Sequence, residues 1–167
     1  MYAHRAGVLE AMKDSSRVRV TQLIRGLRAN QSAFIETANK THDTRLANLC
    51  YRMASDRGRF AKAIASLEPE LDADEGARLR RVVMELARRL TVALRHGDTY
   101  AAMGSLIRNE DELIEKYRAV LTELDNDAIA REVREQYRLV RGSRVELTSL
   151  REDCCVDSLY QRSETSV

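Results

Sequence analysis

The stretch "LIRNEDELIEKY", residues 106–117, reads as helix, with Leu106, Leu113 and Tyr117 spaced along one face and Glu110 on that same face between them. A carboxylate inside an apolar stripe needs a partner, because burying an unpaired charge is costly. Three further segments pose the same question. Residues 15–39 carry Val20, Ile24, Leu27, Phe34 and Ala38 in steps of three and four around a gap filled by Gln31. After "NKTHD", where Thr41 or Asp43 can cap, a second helix carries Leu46, Leu49, Met53, Phe60, Ile64 and Leu67, with a gap at Asp56 and a stop at Pro69. The helix opened by Asp98 contains Glu110 and runs to about Leu124. A last one, from Asp127 to about Arg151, shows Ile129, Val133, Val140, Leu147 and Leu150 around Gln136.

Between the second and third of these, Asp72 and Glu75 form a capping box for an additional helix ending near His96 and Gly97. Four long helices plus this helical crossover predict an all-α, four-helix bundle over residues 15–152, with an N-terminal arm at 1–14 and a flexible tail at 153–167. Composition agrees: in 167 residues there are one Pro, seven Gly and no Trp, and 32% are charged, as long surface-charged helices require. No apolar run approaches the roughly 18 to 20 residues of a membrane span, and the first residues lack a signal peptide's apolar stretch, so a soluble cytoplasmic protein is expected. Cys50 falls within a helix and Cys154 and Cys155 are adjacent in the tail, which makes no disulfide framework. A net charge of +2 spread along the chain points away from a dedicated nucleic-acid binder.

The segments "LIRGLRANQSAFIETA" (23–38), "ASDRGRF" (54–60), "HGD" (96–98) and "RNEDELIEKYRAVL" (108–121), in this order and spacing, resemble a bacterial family of ferritin-like four-helix bundles of unestablished function. The resemblance covers roughly residues 18 to 152. The family's third-helix motif, Arg-Gly-Glu-Asp followed by a Tyr, is matched by Arg108, Asn109, Glu110, Asp111 and Tyr117. Ala29-Asn30 replaces a usual Asp-Gly, the crossover lacks the usual Trp, and Arg144-Val145 stands where a His-Asp is usual. The resemblance implies a ferritin-like fold and a bacterial stress or housekeeping setting.

Gln31, Asp56, Glu110 and Gln136 each interrupt a stripe near mid-helix, so together they are expected to form one buried polar layer. Ferritin-like di-iron proteins place their metals in such a layer, with a Glu from each of two helices and a Glu-x-x-His from each of the others. Here the corresponding stretches are "DRGR" and "QYRL", and neither contains a histidine. His4, His42 and His96 fall in the arm and at turns. Two glutamines offer weak neutral oxygens, and the nearby Arg57, Arg59 and Arg144 oppose a dication. The expectation is therefore no metal and no cofactor, with Glu110 held by an arginine from a neighbouring helix and the amides satisfying the remaining groups. No phosphate loop, nucleophile elbow or Cys/His pair at ligand spacing supplies a catalytic site.

The crossover "ARLRRVVMELARRLTVALRH" gathers Arg78, Arg81, Arg88, Arg89 and Arg95 on one side, opposite Leu79, Val82, Leu86 and Leu90. This stripe either solvates the outside of a docked helix or meets an anionic surface. Three functions stay open. The first is a non-catalytic bundle acting through a protein partner or as a homodimer. The second is a carboxylate metal-binding or di-iron oxidase-type protein, and the third an anionic-surface binder.

Overall fold

Few residues in this chain can break a helix, and the elements are correspondingly long. The computed structural model describes the backbone of residues 2–67, 98–124 and 128–164, and the side chains of residues 15–67, 98–124 and 128–154. The described residues form four helices and no strand: α1 (Tyr2–Lys40), α2 (Thr44–Leu67), α3 (Thr99–Leu121) and α4 (Ala128–Glu164). None of them is long and apolar enough to cross a membrane. The expected crossover helix, the Pro69 stop and the arginine stripe from Arg78 to Arg95 lie outside the described residues.

Both outer helices exceed the lengths the sequence reading gave them. α1 begins at Tyr2 rather than near Ser15, and α4 continues to Glu164 rather than ending near Arg151. The physical reason is the lack of proline in either stretch. Without a residue that removes an N–H and clashes with the preceding turn, a helix already formed propagates at one hydrogen bond per added residue.

Caps fix the inner ends. Asp43 Oδ1 accepts the Leu46 N–H at 3.0 Å and starts α2, while Thr41 Oγ1 instead accepts the Asp43 N–H at 3.2 Å within the turn. Asp98 Oδ1 does the same for α3, accepting from the Ala101 N–H at 2.8 Å. Asp43→Ala is expected to lower stability by about 1 kcal/mol in urea unfolding, the usual loss when an N-cap acceptor is removed.

Contacts between helices set their directions. α1 packs on α2 and α3, and α4 packs on α3 and α2. The short turn at residues 41–43 makes α1 and α2 antiparallel. Ser15 and Arg19 in the first half of α1 reach Glu123 beyond the end of α3, whereas Asn30 farther along α1 reaches Glu110, so α1 is antiparallel to α3. Arg45 reaches Cys154, Arg52 pairs with Glu146, and Phe60 receives a bond from Gln136, so α2 is antiparallel to α4. It follows that α2 and α3 run in the same direction, on opposite corners of the bundle. The end of α2 and the start of α3 therefore lie at opposite ends of the bundle, roughly 35 Å apart along its axis for a helix of 24 residues.

Among the described residues, two apolar clusters fill the interior. One contains Leu23, Leu27, Phe60, Ile64, Leu113 and Val133; the other contains Phe34, Leu46, Met53, Met103, Leu106 and Leu147. On α1, α2 and α3 the boundary between them falls at Asn30, Arg57 and Glu110, which are all buried. Where α3 meets α4, the Arg151 guanidinium carbon lies 3.9 Å from the centre of the Tyr100 ring and covers Gly104.

Candidate functional site

The question raised by Glu110 has a geometric answer. Its side chain is fully buried, and so is that of Arg57, which crosses the core from α2 to reach it. Arg57 Nε donates to Glu110 Oε1 at 3.3 Å, and Arg57 Nη2 donates to Glu110 Oε2, so the guanidinium engages both carboxylate oxygens. From α1, Asn30 Nδ2 donates to Glu110 Oε1 at 3.0 Å and lies 3.3 Å from the Asn109 carbonyl oxygen. Phe34 and Phe60 complete the enclosure, their ring centres 5.9 and 5.8 Å from the guanidinium carbon. One donor is left over: Arg57 Nη1 is buried without a partner among the described residues.

A second polar group lies about two turns farther along α3, at Tyr117. The Tyr117 hydroxyl donates to Gln136 Oε1 at 2.8 Å. Gln136 Nε2 donates to Glu132 at 2.7 Å and to the Phe60 carbonyl at 3.2 Å, so the buried amide is satisfied on both sides.

The four expected layer residues thus divide. Glu110 and Gln136 are in the core, at different levels; Gln31 and Asp56 are not, and both are only half-buried. Asp56 instead faces outward and pairs with Arg59 at 2.7 Å. Gln31 lies across α2, where a β-carbon at Gly58 would come within 2.5 Å of its Nε2; the glycine leaves room for the amide. Their places inside are taken by the preceding Asn30 and the following Arg57. The correction has a simple cause. From Leu27 to Phe34 the inward step can fall on 30 or 31, and from Met53 to Phe60 on 56 or 57, since helical spacing allows three or four in either order.

The motif on α3 divides as well. Asn109, Glu110 and Tyr117 are buried, whereas Arg108 is exposed and donates to Ser105 Oγ at 2.9 Å. Asp111, also exposed, accepts from Arg144 Nε at 2.8 Å. Arg144 therefore spends its charge on a surface carboxylate and does not enter the layer.

Electrostatics follow burial. Loss of water pushes the Glu110 carboxyl above the usual carboxylate range, and Arg57 and Asn30 pull against it. Neutralising Glu110 would leave the equally buried guanidinium without a counter-ion, so the two charges are retained or lost together. Burial likewise raises Tyr117 above the usual tyrosine value, which keeps its proton available for Gln136. The Cys50 thiol is pushed up to about 12 by burial alone. Iodoacetamide at about pH 8 is accordingly expected to leave Cys50 unmodified in the folded protein and to alkylate it once the chain is unfolded, as read by peptide mass spectrometry.

Chemically, this arrangement is closed. Glu110 has its two oxygens occupied by Arg57 and Asn30, and among the described residues no group of three or more His, Cys, Asp or Glu side chains converges. A dication placed beside Glu110 would meet a guanidinium first. Searches among family models, curated proteins and solved structures found no match to this chain.

Proposed function

We propose that this protein is a non-catalytic, ferritin-like helical bundle that acts through association with protein, and that its buried polar layer serves the fold rather than chemistry. The observation that carries this reading is the Arg57–Glu110 pair. A ferritin-like metal site needs several carboxylates with imidazoles in the bundle core, and here the buried carboxylate of α3 is spent on a fixed internal cation. The ferritin-like part is supported by the directions of the helices, because parallel second and third helices joined by one long connection are the mark of that topology. With the interior closed, recognition falls to the surface, which carries exposed apolar side chains at Leu139 and Val145.

Metal content tests the reading. Protein purified without chelator is expected to carry no stoichiometric iron or manganese, and its melting temperature should not rise when either is added. About two irons per chain would overturn the proposal, because that stoichiometry requires a dedicated ligand set.

A further inference from the structure

The outer face of α4 presents apolar and charged side chains around an exposed glycine. Opposite the buried Val133, Val140 and Leu147, Leu139 and Val145 are 55% and 60% exposed, and between them lies Gly142, where an added β-carbon would meet nothing within 4 Å. At about 100° per residue, Leu139 and Val145 stand about 60° to either side of the Gly142 direction. Arg131, Arg138, Glu146 and Asp153 all fall within about 40° of that direction and are exposed. Both cations precede Gly142 and these two carboxylates follow it; Glu135, also exposed and about 20° from that direction, precedes it, and its counterpart at the same distance beyond Gly142 is the uncharged Ser149.

We propose that this face is the contact of a symmetric dimer, in which two α4 helices pack antiparallel about a two-fold axis at Gly142. Such an axis brings residues equidistant from Gly142 to the same level of the seam. Arg138 then meets the second copy of Glu146, Arg131 meets Asp153, and Leu139 shares its level with Val145. Because the operation is symmetric, each of these pairings occurs twice. A parallel arrangement would set Arg138 beside its own copy and Glu146 beside its own, which like-charge repulsion disfavours. Gly142 supplies what a close helix crossing needs at its centre, a backbone without a side chain.

Existing contacts present little obstacle. Arg138 pairs with Glu135 at 3.0 Å and Glu146 with Arg52, all on exposed surface. Exposed pairs contribute little, so exchanging them for partners across a desolvated seam is inexpensive.

This inference rests on the reading that the protein works through association, and sedimentation velocity over a micromolar concentration series tests it separately from metal content. The wild type is expected to sediment as a dimer. Arg138→Glu should weaken the dimer by about tenfold or more, since it sets carboxylates against each other at two levels. The double variant Arg138→Glu/Glu146→Arg should restore it, because the pair is exchanged and the complementarity kept. Leu139→Glu should give monomer. Circular dichroism of each variant checks that the bundle is intact. A wild type that is monomeric at every concentration would overturn the seam. A dimer indifferent to both Arg138→Glu and Leu139→Glu would also overturn it, and would move the contact to another face while leaving the association reading in place.

Discussion

Replacing Glu110 with Ala is expected to lower folding stability by about 3 to 5 kcal/mol, the loss typical of removing one partner from a buried ion pair. The size of the effect comes from what remains. Arg57 would keep its charge in a fully buried position between Phe34 and Phe60, with Nη1 already lacking an acceptor and Nε and Nη2 newly deprived of theirs. Asn30 would lose its bond to Oε1 as well. Urea unfolding in the presence of chelator measures the loss directly. Added iron or manganese should not recover it, since a metal could rescue only a site that had bound one. The neighbouring Asp111→Ala gives the contrast. Asp111 is paired with Arg144 on exposed surface, so its removal is expected to change stability by less than about 1 kcal/mol.

Removing the whole layer should have the opposite result. The triple variant Asn30→Leu/Arg57→Met/Glu110→Leu is expected to match the wild type or exceed it by up to about 4 kcal/mol, because apolar groups of similar volume avoid the desolvation that the pair only partly recovers. Two local features favour the gain. Arg57 Nη1 carries an unsatisfied donor whose removal relieves about 1 to 3 kcal/mol. The apolar clusters on either side would also join into one continuous core. Loss of the guanidinium's contact with Phe34 and Phe60 works against this, and a methionine sulfur in the same place restores part of it. The variant should thus be at least as stable as the wild type. What the pair contributes is alignment, since it forms only when α2 and α3 are level at Arg57 and Glu110.

The sequence carried the helices and their caps because the relevant signals are local. Asp98 stands immediately before its helix, and apolar residues recur at three and four along α2 and α3. Glu110 was legible for the same reason, being a charge at an apolar position with neighbours on both sides. Arg57 was harder to read. Periodicity assigned the inward place to Asp56, because a step of three from Met53 is as regular as a step of four, and an arginine is not an expected core residue. The missing signal was charge balance: Glu110 needed a cation, and of the residues at that level of α2, Arg57 alone sits where both the spacing and the charge are satisfied. Gln31 and Asn30 posed the same choice with no charge to decide it. The level of Gln136 was not accessible to spacing at all, because it depends on how far α4 is shifted along α3, which side-chain packing across the bundle determines. The helical ends at Tyr2 and Glu164 lie beyond the stretches with a sustained apolar period, and that period reports a buried face better than it reports where a helix terminates.

That Glu110 and Arg57 act as one unit inside the bundle can be measured by a double-mutant cycle. Urea unfolding at neutral pH would be measured for the wild type, Arg57→Met, Glu110→Leu and the double variant. Each single substitution is expected to lose at least about 3 kcal/mol. The double variant is expected to recover most of that loss, so that the coupling energy exceeds either single loss. Single losses that simply add in the double variant, to within about 0.5 kcal/mol, would contradict it.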